Sequence, residues 1–118
     1  QTCALPIYFS PVRKEMEIKS ILTRQKPDAI FASDDLTAIL VIKIAQELGI
    51  SVPEELKVIG YDGTYFIENY YPQLATIKQP LEEIACLTVD LLLQKIEGKE
   101  VATTGYFLPV TLLPGKSI

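Results

Sequence analysis

At 118 residues, 48% apolar and 22% charged, the chain has the length of one small domain or a piece of a larger one, and the composition of a folded globular protein rather than a disordered one. Its net charge is −4 and its cations are scattered, with Arg13-Lys14 the one adjacent pair, so no basic patch suits this stretch for gripping a phosphate backbone. With no histidine and only Cys3 and Cys86, far apart, the composition argues against a zinc site, His-based acid/base catalysis and a disulfide framework, and no apolar run approaches the length of a membrane span.

Residues 1–10, QTCALPIYFS, show neither helical nor strand periodicity and read as an unmatched or disordered terminus. No positively charged start followed by an apolar segment marks a signal peptide. From Val12 to about Gln25, Val12, Met16, Ile21 and Leu22 recur among charges, the pattern of an amphipathic surface helix ended by Lys26-Pro27. Pro27 to Ala32 is a turn feeding a short buried strand. Ser33-Asp34-Asp35 follows, then an apolar helix from about Leu36 to Leu48. Serine and aspartate favour the N-cap, so one of the two aspartates is a cap, while the other lies at the carboxyl end of a strand. That helix is apolar over roughly 200° of its wheel, about twice what one sheet face needs. It therefore predicts sheet on one side and a partner subunit, or the rest of a larger domain, on the other.

Gly49 is placed as a helix C-cap, and residues 50–55 form a loop. Leu56 to Ile59 is the next strand, joined to the previous one by a right-handed parallel crossover. The run Val58-Ile59-Gly60-Tyr61-Asp62-Gly63-Thr64 delivers an acid to the carboxyl rim of an α/β sheet, where ligands of such sheets bind. Tyr65 to Pro72 is rich in aromatics, as interfaces and packed edges are. Leu74 to Ile77 is a further strand. Pro80 suits the first turn of a helix from Leu81 to Ile96, apolar around most of its circumference and including Cys86, which reads as a buried thiol. Two thiols so placed suit a reducing compartment. Gly98 caps this helix, residues 100–105 form a polar loop, and Tyr106 to Leu113 is a last strand interrupted by Pro109.

The chemistry open to these residues is narrow. Gly60 and Gly63 are too few and wrongly spaced for a dinucleotide fingerprint or a P-loop, and no G-x-S-x-G elbow exists. Asp34-Asp35 and Glu54-Glu55 are adjacent in sequence and do not face each other, so neither makes an acid/base dyad. Acids at strand ends suit recognition of hydroxyls, because an ionised carboxylate accepts two strong hydrogen bonds at once.

The run PDAIFASDDLTAILVIKIAQELGISVPEELKVIGYDGT, continued by YYPQLATIKQP and LPVTLLPGKSI, resembles the LacI/GalR family of bacterial transcription regulators from about Lys26 to Ile118. Within that family the wording GYDGTYFIENYYP is most similar to regulators of sucrose operons. The resemblance implies an α/β fold of the periplasmic-binding-protein type, a parallel sheet flanked by helices, present here mainly as the C-terminal lobe over residues 11–118. It implies a sugar effector bound by Asp62 and Asp34, with Gln79 and Leu81 on the hinge side of the pocket. Leu40, Ile44 and Tyr70 match a homodimer interface. It further implies a cytoplasmic regulator without enzymatic activity, cofactor, metal or membrane association. Operator DNA would be reached only through a headpiece that this chain lacks. A sugar-binding protein of an uptake system, sharing the fold, is the alternative. Three features depart from the family: Asp34-Asp35 stands where Asn-Asp is common, Gly115-Lys116 where an arginine is usual, and residues 1–10 match nothing.

Overall fold

The computed structural model describes residues 2–3, 11–101 and 105–118. In chain order these give β1 (Thr2–Cys3), α1 (Pro11–Arg24), β2 (Ala29–Phe31), α2 (Asp35–Glu47), β3 (Lys57–Asp62), α3 (Tyr65–Tyr70), β4 (Ala75–Lys78), α4 (Leu81–Ile96) and β5 (Thr111–Leu113). They form one five-stranded sheet in the order β1-β2-β3-β4-β5, parallel except for β5, which runs antiparallel to β4.

Strands that pair in sequence order, each joined by a helix, need right-handed crossovers, which place α1, α2 and α3 on the same face. The core lies there. Ile30 of β2 and its register partner Val58 of β3 point toward Ile18 and Leu22 of α1, Ala38, Val41 and Ile44 of α2 and Ile67 of α3, in one buried cluster. On the opposite face Phe31 and Tyr61 meet edge to face at 6.3 Å, beside Ile59 and Ile77, and this face stays partly open.

The expected strand at Leu56 to Ile59 runs on to Asp62, which itself pairs with Lys78. The aromatic stretch contains a short helix, α3. The last strand is confined to three residues beyond Pro109, which has no N–H to give a ladder. Thr2–Cys3, expected in a frayed end, lie parallel to β2; the rest of residues 1–10, and residues 102–104 of the expected polar loop, lie outside the described residues. Cys86 is exposed rather than buried, because nothing among the described residues covers α4, none of whose residues is buried. The radius of gyration of 17.8 Å and long axis of 58 Å exceed the ~13–14 Å radius of a compact chain of this length, so α4 projects from the body.

The C-terminal tail clasps the other end of the sheet. The Val58 amide donates to the Ser117 carbonyl at 2.7 Å, while Ser117 Oγ accepts from the Ala75 amide at 2.9 Å and donates to the Val58 carbonyl at 2.6 Å. A Cβ at Gly115 would stand 2.3 Å from the Ala75 nitrogen, so only glycine lets the tail pass this close.

Candidate functional site

Asp62 is the last residue of β3, and its backbone turns to φ +124° before Gly63 at φ +59°. For a side chain with a Cβ that is a sparsely populated region, held only where neighbours over-determine it. On one side they do so through β4: the Gln79 amide donates to the Asp62 carbonyl at 3.0 Å, and Gln79 Nε2 donates to Asp62 Oδ1 at 2.7 Å. A Cβ on Gly63 would lie 2.5 Å from Lys78 Cα, which reserves that position for glycine. Among the described residues Asp62 Oδ2 accepts no hydrogen bond and remains available, on a half-buried side chain.

The turn opens onto a hollow of about 360 Å³ lined by Gly63, Thr64, Lys78, Gln79, Leu81 and Thr111. Leu81 begins α4, its amide bonded to the Gln79 carbonyl at 2.9 Å, and its side chain is 53% exposed. Of the four expected effector contacts, Gln79 and Leu81 line this hollow, and Asp62, bonded to Gln79, stands beside it.

Asp34 stands at the end of the neighbouring strand with its carboxylate already engaged. It is the N-cap of α2: Oδ1 accepts from the Thr37 amide at 2.7 Å, and Oδ2 accepts from Thr37 Oγ1 at 2.7 Å and Ser33 Oγ at 2.9 Å, with Lys14 Nζ at 3.9 Å. Burial alone raises its pKa, but the bonds from Thr37 and Ser33 and the Lys14 charge outweigh that and hold it below the usual carboxylate value. The cap is therefore Asp34, and Asp35 is the acid that enters the protein.

Asp35 is 3% exposed. Its Oδ2 accepts from the Gly63 amide at 2.9 Å and its Oδ1 accepts from Thr76 Oγ1. Burial, reinforced by the nearby Asp62 charge, pushes its pKa up against these bonds. Gly60 makes room for it, since a Cβ there would lie 2.3 Å from Asp35 Oδ1. Sequence reasoning did not assign Asp35, Thr76 and Gly60 to the rim. Their partners lie 25 or more positions apart in sequence; a Ser-Asp-Asp run with room for only one cap was the available signal.

The three expected interface residues separate. Ile44 is 1% exposed and packs in the core, Leu40 is half-buried on α2, and Tyr70 is 69% exposed at the end of α3, stacked on Phe66 at 5.0 Å. Between α2 and the segment after α3 lies a larger hollow of about 570 Å³, bordered by Ile39, Lys43, Val52, Tyr71 and Lys116. Among the described residues no three His, Cys, Asp or Glu side chains converge to hold a metal ion, and no helix is long and apolar enough to cross a membrane.

Residues 7–118 match the family of the periplasmic binding protein-like domain. The chain is 60% identical over 110 residues to the sucrose operon repressor of Streptococcus mutans serotype c, covering 93% of this chain and 34% of that protein. It is 49% identical over 112 residues to the sucrose operon repressor of Pediococcus pentosaceus, covering 94% of this chain and 34% of that protein. Among solved structures it superposes with a TM-score of 0.77 and 31% identity on the lac repressor dimer bound to operator and the anti-inducer ONPF, over 92% of this chain and 38% of that one. The chain spans about a third of the length of the curated relatives it matches.

Proposed function

Because this chain belongs to the periplasmic binding protein-like domain family and is similar along nearly its whole length to sugar-operon repressors, we propose that it is the sugar-sensing and dimerising part of a LacI-type repressor of a sucrose or related operon. The observation that carries the sugar reading is Asp62: a strand-end carboxylate in a strained turn, one oxygen oriented by Gln79 and the other free. Such a carboxylate accepts from a sugar hydroxyl, while the Gln79 amide supplies a second polar group and Leu81 an apolar wall. Asp34, at the adjacent strand end, offers only what its capping bonds leave.

The activity is binding, not turnover, and it needs no cofactor. A sugar held between this lobe and a second lobe of the longer polypeptide alters their relative orientation, and hence the spacing of DNA-binding heads in a homodimer. Operator contact belongs to those heads, in keeping with the net charge of −4 on this stretch. The protein acts in the cytoplasm, where its operator is. The uptake reading has no comparable support, since curated relatives 49% to 60% identical to this chain are sucrose operon repressors.

The test is calorimetric titration of the full-length gene product with sucrose, fructose and their phosphates, comparing wild type with Asp62→Ala. Loss of a hydrogen bond to a charged group costs about 1.5–3 kcal/mol, so affinity for the bound sugar falls at least ~tenfold. Unchanged affinity removes Asp62 from the site.

A further inference from the structure

We infer that Asp35, buried behind the rim, is the positioning residue that holds Asp62 in its ligand-facing conformation. This inference rests on the reading of Asp62 as a sugar contact. It starts from an imbalance in the turn. Two consecutive residues, Asp62 and Gly63, take positive φ, and on the side of the hollow Asp62 is held by Gln79. On the inner side the next amide, of Gly63, is buried within the protein. Asp35 meets it with its carboxylate at 2.9 Å, reaching across from the first turn of α2.

Three features are built around that reach. Gly60 lacks the Cβ that would lie 2.3 Å from Asp35 Oδ1. The 1% exposed Thr76, register partner of Gly60, donates its hydroxyl to the same oxygen and so fixes the carboxylate's orientation. Asp34 takes the capping duty, which leaves Asp35 free for the turn. Among the described residues no cation pairs with Asp35. A buried carboxylate held only by neutral donors, beside a second carboxylate, is a costly way to pack a helix. It is an effective way to clamp the Gly63 amide, whose alternative is a relaxed turn that swings Asp62 away.

A mutant cycle in the full-length gene product tests this, read by titration with the sugar that binds wild type, by urea unfolding and by hydrogen exchange of the Gly63 amide. Asp35→Asn keeps the shape and removes the charge that grips the Gly63 amide. It is expected to weaken sugar binding about tenfold, the scale of losing one charge-assisted bond, and to speed exchange at Gly63. In an Asp62→Asn background the same change is expected to weaken binding less than twofold, because there is no longer an ionised side chain to position. Equal losses in both backgrounds mean a general structural role and overturn the inference. If Asp62→Asn weakens binding while Asp35→Asn leaves both affinity and exchange unchanged, the inference falls and the sugar site stands. If Asp62→Asn has no effect, the sugar site falls and the inference with it. Should Asp35→Asn not fold, Thr76→Val, which loosens the carboxylate without removing it, is expected to move affinity and exchange in the same direction by about threefold; no change in either refutes the positioning role.

Discussion

Gly60→Ala is the sharpest perturbation of this fold. A methyl group at that position lies 2.3 Å from Asp35 Oδ1 and 3.3 Å from both Asp35 Cα and Leu74 Cδ2. The latter two contacts are tight but yield by a few tenths of an ångström. The first requires the carboxylate to retreat by roughly an ångström, since nonbonded carbon and oxygen do not approach much below ~3.3 Å. Retreat stretches the bonds from Thr76 Oγ1 and the Gly63 amide, both buried. Losing even one hydrogen bond to a buried charge costs about 1.5–3 kcal/mol, and overpacking adds ~1–3 kcal/mol, so a loss of about 3 kcal/mol is expected. Urea unfolding followed by far-UV circular dichroism reads it: with a slope of ~2 kcal/mol per M, the midpoint falls by ~1.5 M. Most of that loss should vanish when Asp35→Ala removes the obstructing oxygen in the same chain. A midpoint shift under ~0.3 M, or an undiminished cost in the double variant, refutes the account of Gly60 as the space Asp35 occupies.

Ser117→Ala removes the hydroxyl shared by the Ala75 amide and the Val58 carbonyl, and leaving such buried groups unpaired is expected to cost about 2 kcal/mol or more in the same assay. Asp34 and Asp35 should titrate with opposite sign in stability. Asp34, held below the ordinary aspartate value of 3.8, contributes stability that is present above that value and lost as pH falls through its lowered folded pKa; Asp34→Ala is expected to cost ~1 kcal/mol at neutral pH and progressively less in acid. Asp35, raised above 3.8, favours the folded state fully below that value, and this contribution is lost as pH rises through its raised folded pKa. Urea midpoints from pH 3 to 7 should therefore show Asp35→Asn gaining on wild type as pH rises, and a parallel pair of curves would contradict the sign. Tyr70→Asp, at a 69% exposed position, is expected to leave the unfolding midpoint nearly unchanged but to weaken a homodimer at least ~tenfold by sedimentation; an unaltered dimer excludes Tyr70 from the interface.

Much of this protein follows from local pattern. Alternation of short apolar strands with capped helices is enough to call for a parallel α/β sheet, because burying a strand on both faces and returning it through a right-handed crossover is the economical solution to those periodicities. The same pattern carries Asp62 to the sheet's carboxyl rim, and a proline after Gln79 starts α4 where it is found. What local pattern does not contain is which of two adjacent acids faces inward. Asp34 and Asp35 are equivalent as N-cap residues, and they separate only because β3 and β4 bring Gly60, Gly63 and Thr76 against the first turn of α2. Ile44 likewise looks like Leu40 on a helical wheel. Only the packed sheet consigns Ile44 to the core and leaves Leu40 partly at the surface. Apolar periodicity alone says that α4 wants cover, while the three-dimensional structure shows that the described residues supply none. Hydrophobic pattern is set by near neighbours, which the sequence determines; burial, orientation and charge are set by contacts between distant residues, and those are decided only when the sheet closes.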